Sequence, residues 1–333
     1  MKKVRWGILG CGRIAGKFAS DLRLLDDAEL AAVGSRDLEK ARGFASAHSA
    51  PNAYGSYESL AADPELDVIY VASPHAQHYE HTLLCLNHGK AVLCEKAFAL
   101  NLQQVKEMVA TSRERGVFLM EAMWTRFLPH YQLLMHHVHS GKLGSVQSVL
   151  INFGFRPTAP VPERLFDPAL GGGSLLDIGI YNVFMALSVL GRPEAIDAWM
   201  TTAPTGVDEQ CAITFRYPSG AMAQLFCSFA SNLATEADIC GTDGRIRMGS
   251  RFYEPSTNMT YYPGRMDSAT ALKFEKTQGW GYHYEIRHVQ DCLRQGLAES
   301  PVMSHSESLL LMETLDRIRQ KAGIVYPADR VNQ

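Results

Sequence analysis

The segment Gly10-Cys11-Gly12-Arg13-Ile14-Ala15 has the spacing of a phosphate-binding turn. The first glycine of such a turn permits a tight reversal, and the second lets backbone approach a pyrophosphate. The small third residue, here Ala15, lets helix and strand pack closely. Arg13, Ile14 and Ala15 then open a helix, whose unpaired N–H groups and positive dipole end suit phosphate oxygens. The ligand this chemistry predicts is a dinucleotide. The next strand ends in Gly34-Ser35-Arg36-Asp37. An acidic residue there favours NAD, and an arginine accommodates the 2′-phosphate of NADP. Ser35 and Arg36 come first and combine a hydroxyl with a planar guanidinium. The reading therefore favours NADP and leaves NAD open, with Asp37 free to cap the following helix instead.

Ligands of parallel sheets bind beyond the carboxyl ends of the strands. Two segments emerge at that edge, Ala72-Ser73-Pro74-His75-Ala76-Gln77-His78 and Cys94-Glu95-Lys96-Ala97. A Glu-Lys pair is ordinarily solvated, but Glu95-Lys96 directly follows a buried strand. His75, His78 and His81 recur every third residue without an accompanying carboxylate or cysteine cluster, so no metal site is expected. Imidazoles at a helix start cap it or bind ribose. Further on, Asp177 and Tyr181 stand four apart after Gly171-Gly172-Gly173, which places them on one face if the segment is helical. Trp124 and Arg126 follow the last strand of the first domain, where packing and an ion pair are their ordinary roles. Phe153 and Phe155 alternate with polar neighbours; Phe153 suits a pocket wall or the core equally.

The elements that must position these residues alternate in the first third of the chain. Strands are predicted at Val4–Leu9, Leu30–Gly34, Val68–Ala72, Ala91–Cys94 and Val117–Glu121. Helices are predicted at Arg13–Leu25, Leu38–His48, about His78–His88 and Leu102–Arg115. That alternation implies right-handed βαβ units and an α/β Rossmann domain. From about Val146 to Thr277 the pattern becomes strand after strand, at Val146–Phe155, Ala195–Thr201, Cys211–Tyr217, Met222–Phe229 and Ala237–Cys240. Turn signals at Pro218-Ser219-Gly220 and Thr242-Asp243-Gly244 lie between them. Direct strand-to-strand connections imply an open, mainly antiparallel sheet in an α+β domain. Helices at Tyr282–Leu297 and Glu307–Ala322 close the chain. The expected division is 1–122 for dinucleotide binding and 123–333 for substrate and dimerisation.

Composition bounds the function classes. The 333 residues exceed one ordinary core. A net charge of -3 points to neither nucleic acid nor a membrane surface. No run is expected to reach the roughly 18 apolar residues that span a bilayer, and the N-terminus lacks a signal peptide's apolar stretch. Seven cysteines without a C-x-x-C pair read as reduced thiols of a cytoplasmic protein.

In order along the chain, Gly10–Ala15, Ser73-Pro74 with His78, Glu95-Lys96 and the Gly171–Tyr181 block resemble the glucose–fructose oxidoreductase/inositol dehydrogenase (Gfo/Idh/MocA) family. The resemblance covers essentially the whole chain. Segments 53–57, 91–96, 118–127 and 176–181 look closest to its dimeric dihydrodiol dehydrogenases, which oxidise trans-dihydrodiols of arenes and D-xylose with NADP. The resemblance implies that Lys96 is catalytic, that Asp177 and Tyr181 line the same pocket, and that the region of Trp124 and Arg126 touches cofactor and substrate. It also implies a homodimer through the C-terminal sheet. Hydride then passes between an alcohol carbon and the nicotinamide, with either Tyr181 or Lys96 as the acid/base. The family usually has proline where this chain has Ala97, often after a cis bond. A cis bond before alanine costs about 2.5–4 kcal/mol, so the bond is either trans or held by its site. The competing reading is a non-catalytic dinucleotide-binding sensor or scaffold, which would need neither Lys96 nor Tyr181.

Overall fold

The computed structural model describes residues 2–264 and 268–329. It divides into two compact units, Met1–Phe127 with Gln278–Leu309, and Leu128–Thr277 with Leu310–Gln333. The first unit holds β1 (Val4–Leu9), α1 (Arg13–Leu22), β2 (Ala28–Gly34), α2 (Leu38–His48), β3 (Asn52–Tyr54), α3 (Tyr57–Ala61), β4 (Val68–Val71), α4 (His78–Asn87), β5 (Ala91–Glu95), α5 (Leu102–Arg115) and β6 (Leu119–Ala122). Its six strands form one parallel sheet in the order β3-β2-β1-β4-β5-β6. The order in which successive strands are added reverses between β1 and β4, and the carboxyl ends there open the crevice where parallel sheets bind ligands. β4 is wholly buried, as its unbroken apolar run requires of a strand covered on both faces. Phe18 of α1 stacks on Tyr70 of β4 with ring centroids 3.7 Å apart, which fixes the helix on the sheet.

The expected split at 122/123 treats the second part as continuous, whereas residues 278–309 return to the first unit. Buried Asp21 explains why. Its carboxylate accepts the backbone N–H of Trp280 at 2.9 Å and of Tyr282 at 2.7 Å, capping the helix Tyr282–Arg294. Gln290 Nε2 donates to the Asp27 carbonyl, and Leu119 N–H to the Ala298 carbonyl. These acceptors lie far away in sequence, and no local pattern announces them.

The second unit contains α6 (Pro129–His139), β7 (Val146–Gly154), α7 (Ile180–Leu190), β8 (Ala195–Thr202), β9 (Asp208–Arg216), β10 (Met222–Ser228), β11 (Ala237–Gly241), β12 (Gly244–Met248), β13 (Met259–Pro263) and β14 (Thr270–Leu272). They form a sheet in the order β14-β13-β12-β11-β7-β10-β9-β8. The turns at 218–220 and 242–244 join antiparallel neighbours, as expected. β7 and β10 pair in parallel, however. The long connection after β7, which includes α7, supplies the crossover that parallel pairing needs. Burial alternates along β7, with Val149, Ile151 and Phe153 inside and Leu150 and Asn152 outside.

One stretch corrects the membrane expectation. Pro168–Leu190 is long and apolar enough to cross a bilayer by length and composition alone, but 78% of its most apolar window is buried inside the structure. It belongs to the core because α7 packs on β7 and β10, and Asn182 Nδ2 donates to the Phe226 carbonyl at 3.0 Å. The glycines before it are required by contact. Gly173 has φ +120°, and a Cβ there would collide with the Asp208 carboxylate. At Gly172 an added Cβ would stand 2.9 Å from the Asp167 nitrogen. Fully buried Asp208 accepts the N–H of Leu175 at 2.6 Å and the hydroxyl of Ser174 at 2.8 Å, anchoring the start of the helical stretch.

Burial pushes the Asp208 carboxyl up to about 6, against those donors. The folded state therefore holds a proton that the unfolded chain releases near pH 4, and stability falls as pH rises between these values. Asp208→Asn removes that titration while keeping an acceptor. Chemical denaturation from pH 4 to pH 8 should show the wild type losing roughly 2–3 kcal/mol relative to Asp208→Asn, with the loss complete by about pH 7. A pH-independent difference would contradict this.

Candidate active site

The phosphate turn leaves β1 at Gly10. Its N–H donates to the Gly34 carbonyl at 3.0 Å. Its φ is +101°, and an added Cβ would lie 3.0 Å from the Ala72 carbonyl oxygen. Gly12 precedes the first turn of α1 and accepts the Gly16 N–H at 3.1 Å. The N–H groups of Arg13, Ile14 and Ala15 have no partner within the helix. A Cβ on Gly12 would meet no protein atom within 4 Å, so the protein leaves the space above these donors to a ligand. The turn thus fits a dinucleotide pyrophosphate. Cys11 directs its thiol to the Gly34 carbonyl, and burial pushes it up to about 11, which leaves it unreactive.

At the end of β2 the Asp37 side chain caps α2, accepting the N–H groups of Glu39 at 3.0 Å and Lys40 at 3.2 Å. Ser35 is buried and accepts the Asp37 N–H, and Arg36 is exposed. Tyr57, which sequence reading did not single out, lies beside Arg36. Its ring meets His81 edge-on at 4.5 Å, and His81 Nδ1 lies 2.8 Å from Ser73 Oγ. Burial pushes His81 down to about 4, so this imidazole is neutral at physiological pH. Pro74 and His75 lead from Ser73 into a short 3₁₀ turn before α4. Among the described residues no cluster of His, Cys, Asp and Glu could hold a metal ion.

Lys96 follows β5 at the same edge of the sheet. The Lys96–Ala97 bond is cis. Glu95, expected at the cofactor, accepts the hydroxyl of buried Tyr70. His78, also expected there, is buried, with Nδ1 and Nε2 each 2.7 Å from a backbone carbonyl, of Ala97 and of Ser73. The neutral ring donates to one of these two carbonyls and so ties a loop to the start of α4. Trp124 stacks on Tyr282 at 4.7 Å. Arg126 donates to the Val302 carbonyl at 2.9 Å and to Glu307 at 2.7 Å, the ion pair that is its ordinary role. Both residues thus pack against the returning segment 278–309.

In the second unit, Asp177 lies in a π-helical turn, Leu175–Gly179, and Tyr181 in the α-helix that continues it. A π turn holds slightly more than four residues per revolution, so a four-residue spacing across it still returns to nearly the same face. Such widened turns recur at functional sites. The Asp177 carboxylate accepts a hydrogen bond from Arg164 Nη1 at 2.9 Å. Tyr181 is 7% exposed and lies in an aromatic group with Tyr253 at 4.9 Å and Phe153 at 6.0 Å. Phe153 is buried and stacks on Tyr253 at 4.4 Å. Sequence reading missed Arg164 and Tyr253; neither stands at a readable spacing from the residue it meets.

Comparison with known proteins follows the same division. Residues 4–123 match the oxidoreductase family model described as GFO_IDH_MocA, NAD-binding Rossmann fold, and residues 131–247 match the GFO/IDH/MocA C-terminal domain. The chain is 41% identical over 334 residues to trans-1,2-dihydrobenzene-1,2-diol dehydrogenase of Sus scrofa, covering 98% of this chain and 99% of that one. It is 40% identical over 329 residues to the protein of that name from Xenopus laevis, covering 97% and 99%. Among solved structures, a 3-ketoreductase from Actinomadura kijaniata in complex with NADP and TDP-benzene superposes with a TM-score of 0.87 at 25% identity, covering 96% and 98%. An aldose–aldose oxidoreductase from Caulobacter crescentus shares the fold with a TM-score of 0.88 at 24% identity, covering 97% and 98%. With both halves of the architecture matched and identity sustained along nearly the whole length, this chain belongs to the Gfo/Idh/MocA family of NAD(P)-binding oxidoreductases.

Proposed function

We propose that the protein is an NADP-dependent dehydrogenase that moves hydride between the nicotinamide and a CH–OH carbon of a trans-dihydrodiol, sugar or polyol. The observation that carries this reading is the placement of Lys96. β1, β4 and β5 run parallel, so the Gly10–Ala15 turn and Lys96 leave the sheet at the same edge. A non-catalytic sensor would have no use for an ammonium there. The relatives' shared name supports the diol.

When bound, the nicotinamide ring accepts or donates the hydride. The hydroxyl proton goes to Tyr181 as first choice of base. A free phenol titrates near 10, about three units too high for neutral work. The role assigned to the Lys96 ammonium is to stabilise the phenolate and the developing alkoxide charge. Asp177, which accepts a hydrogen bond from Arg164, is assigned either to orient the lysine or to bind a substrate hydroxyl. The alternative assignment makes Lys96 the acid/base and Tyr181 its hydrogen-bonding partner. NADP is favoured over NAD because the Asp37 carboxylate caps α2, which leaves Arg36 and Ser35 to meet a 2′-phosphate. The exposed face of the large sheet carries Leu150, Trp199 and Met222 at 42%, 66% and 41% exposure. Apolar exposure of that degree suits a homodimer contact through this sheet.

Lys96→Met and Tyr181→Phe should each lower kcat by about 10²-fold or more, as loss of acid–base or charge-stabilising groups does. If both stay within about tenfold of wild type, the assignment is wrong. Arg36→Ala should raise KM for NADP by roughly tenfold or more, the worth of a charged phosphate contact, and leave KM for NAD unchanged. Equal effects on both cofactors would remove the 2′-phosphate argument. Light scattering should give twice the monomer mass, reduced to one by Trp199→Lys; an unaltered dimer would place the contact elsewhere.

A further inference from the structure

The turn that carries Lys96 passes between two buried titratable side chains for which the hydride-transfer chemistry has no use. Ala97 and Phe98 share one peptide group. Its carbonyl oxygen lies 2.7 Å from His78 Nδ1, and its N–H donates to Glu121 Oε1 at 3.2 Å. His78 and Glu121 are each 1% exposed. His78 comes from the start of α4 and Glu121 from β6, so separate elements grip opposite ends of a single peptide plane. Strand pairing does not ask for a carboxyl here, because the parallel neighbour of Glu121 is Cys94 and the rest of β6 is apolar.

Isolation of these groups has a cost that packing alone would avoid. Burial pushes Glu121 up to about 7; Glu95 adds to this, and Ser308, Phe98 and Lys96 oppose it. Burial pushes His78 down to about 4, against the two carbonyls. A neutral ring has one N–H, so it donates to only one of Ala97 and Ser73.

We propose that His78 and Glu121 are positioning residues for Lys96, acting through the one peptide group Ala97–Phe98, with the His78 proton on Nδ1. This rests on the reading of Lys96 as a catalytic residue. A peptide plane held at both its carbonyl and its N–H cannot rotate without breaking both bonds. Lys96 is one residue upstream, so the root of its side chain is fixed with that plane. The origin of the lysine stem is thereby set. Displacement by about 1 Å at such a point costs roughly 10²-fold in rate.

Conservative variants separate positioning from bulk packing. Glu121→Gln keeps an acceptor for Phe98, and Glu121→Ala removes it. His78→Asn places an amide N–H near the Nδ1 position facing Ala97, whereas His78→Gln places it near Nε2 facing Ser73. Steady-state kcat with NADP is measured on the full chain beside NADPH affinity by fluorescence titration, with Lys96→Met as reference. Glu121→Ala and His78→Gln should lower kcat by about 30- to 100-fold with NADPH affinity within about threefold, and Glu121→Gln and His78→Asn should recover all but about fivefold. Glu121→Gln no better than Glu121→Ala, or His78→Asn no better than His78→Gln, overturns the proposal. If Glu121→Ala fails to fold, the His78 pair decides, since both variants keep a polar side chain of similar bulk. Wild-type turnover in Lys96→Met overturns the reading of Lys96 and this inference with it. An inactive Lys96→Met beside four fully active variants overturns this inference alone.

Discussion

How closely the carboxyl ends of β1 and β4 approach sets the geometry of everything placed on that edge. At Gly10 an added Cβ would stand 3.0 Å from the Ala72 carbonyl oxygen, on a backbone with φ +101° that side-chain-bearing residues rarely adopt. Only a glycine permits that contact. Because it does, α1 begins directly above the sheet edge, and its first N–H groups face open space beyond Gly12. Ser73 leaves β4 and Lys96 leaves β5 at the same edge, through parallel ladders that fix their heights relative to Gly10. A side chain at position 10 would push these strand ends apart and lift the phosphate turn away from the lysine.

Carboxylates recur as anchors of the backbone in both units. Asp37 caps α2, Asp21 caps the helix Tyr282–Arg294, Asp208 holds the start of the stretch bearing Asp177 and Tyr181, and Glu121 holds the peptide after Lys96. Charge-assisted bonds to backbone N–H are among the stronger that a protein makes. They suit places where a loop must stop at a defined point without a regular element to hold it. Each of these acids therefore serves geometry first.

Much of this was legible in the sequence, for reasons that are local. The βα alternation, the Gly10–Ala15 turn, the Asp37 cap and the hairpin turns at 218–220 and 242–244 each depend on neighbours within a few residues, so spacing alone reveals them. The return of residues 278–309 to the first unit was not legible, because its anchors are Asp21, Asp27 and Leu119, more than 150 residues away. The parallel pairing of β7 with β10 was hidden for the same reason. The apolar length of Pro168–Leu190 was passed over because glycines and Asp177 interrupt it. His78 misled in another way: a histidine at a helix start near a binding edge reads as a ligand contact, and only its two backbone carbonyls show otherwise. Glu121 did leave a trace, as the lone acid in the apolar run Phe118–Met123, but its partner is a main-chain group that no spacing rule supplies.

The central claim is that these elements make a hydride-transfer site for a CH–OH carbon. The most direct test is the absorbance of reduced cofactor when purified protein, NADP and trans-1,2-dihydrobenzene-1,2-diol are combined, with D-xylose, D-glucose and an inositol in parallel. The account predicts catalytic formation of NADPH with at least the diol or one of the sugars. Tight NADPH binding with no turnover of any of the four would contradict it and leave a dinucleotide-binding protein without this chemistry.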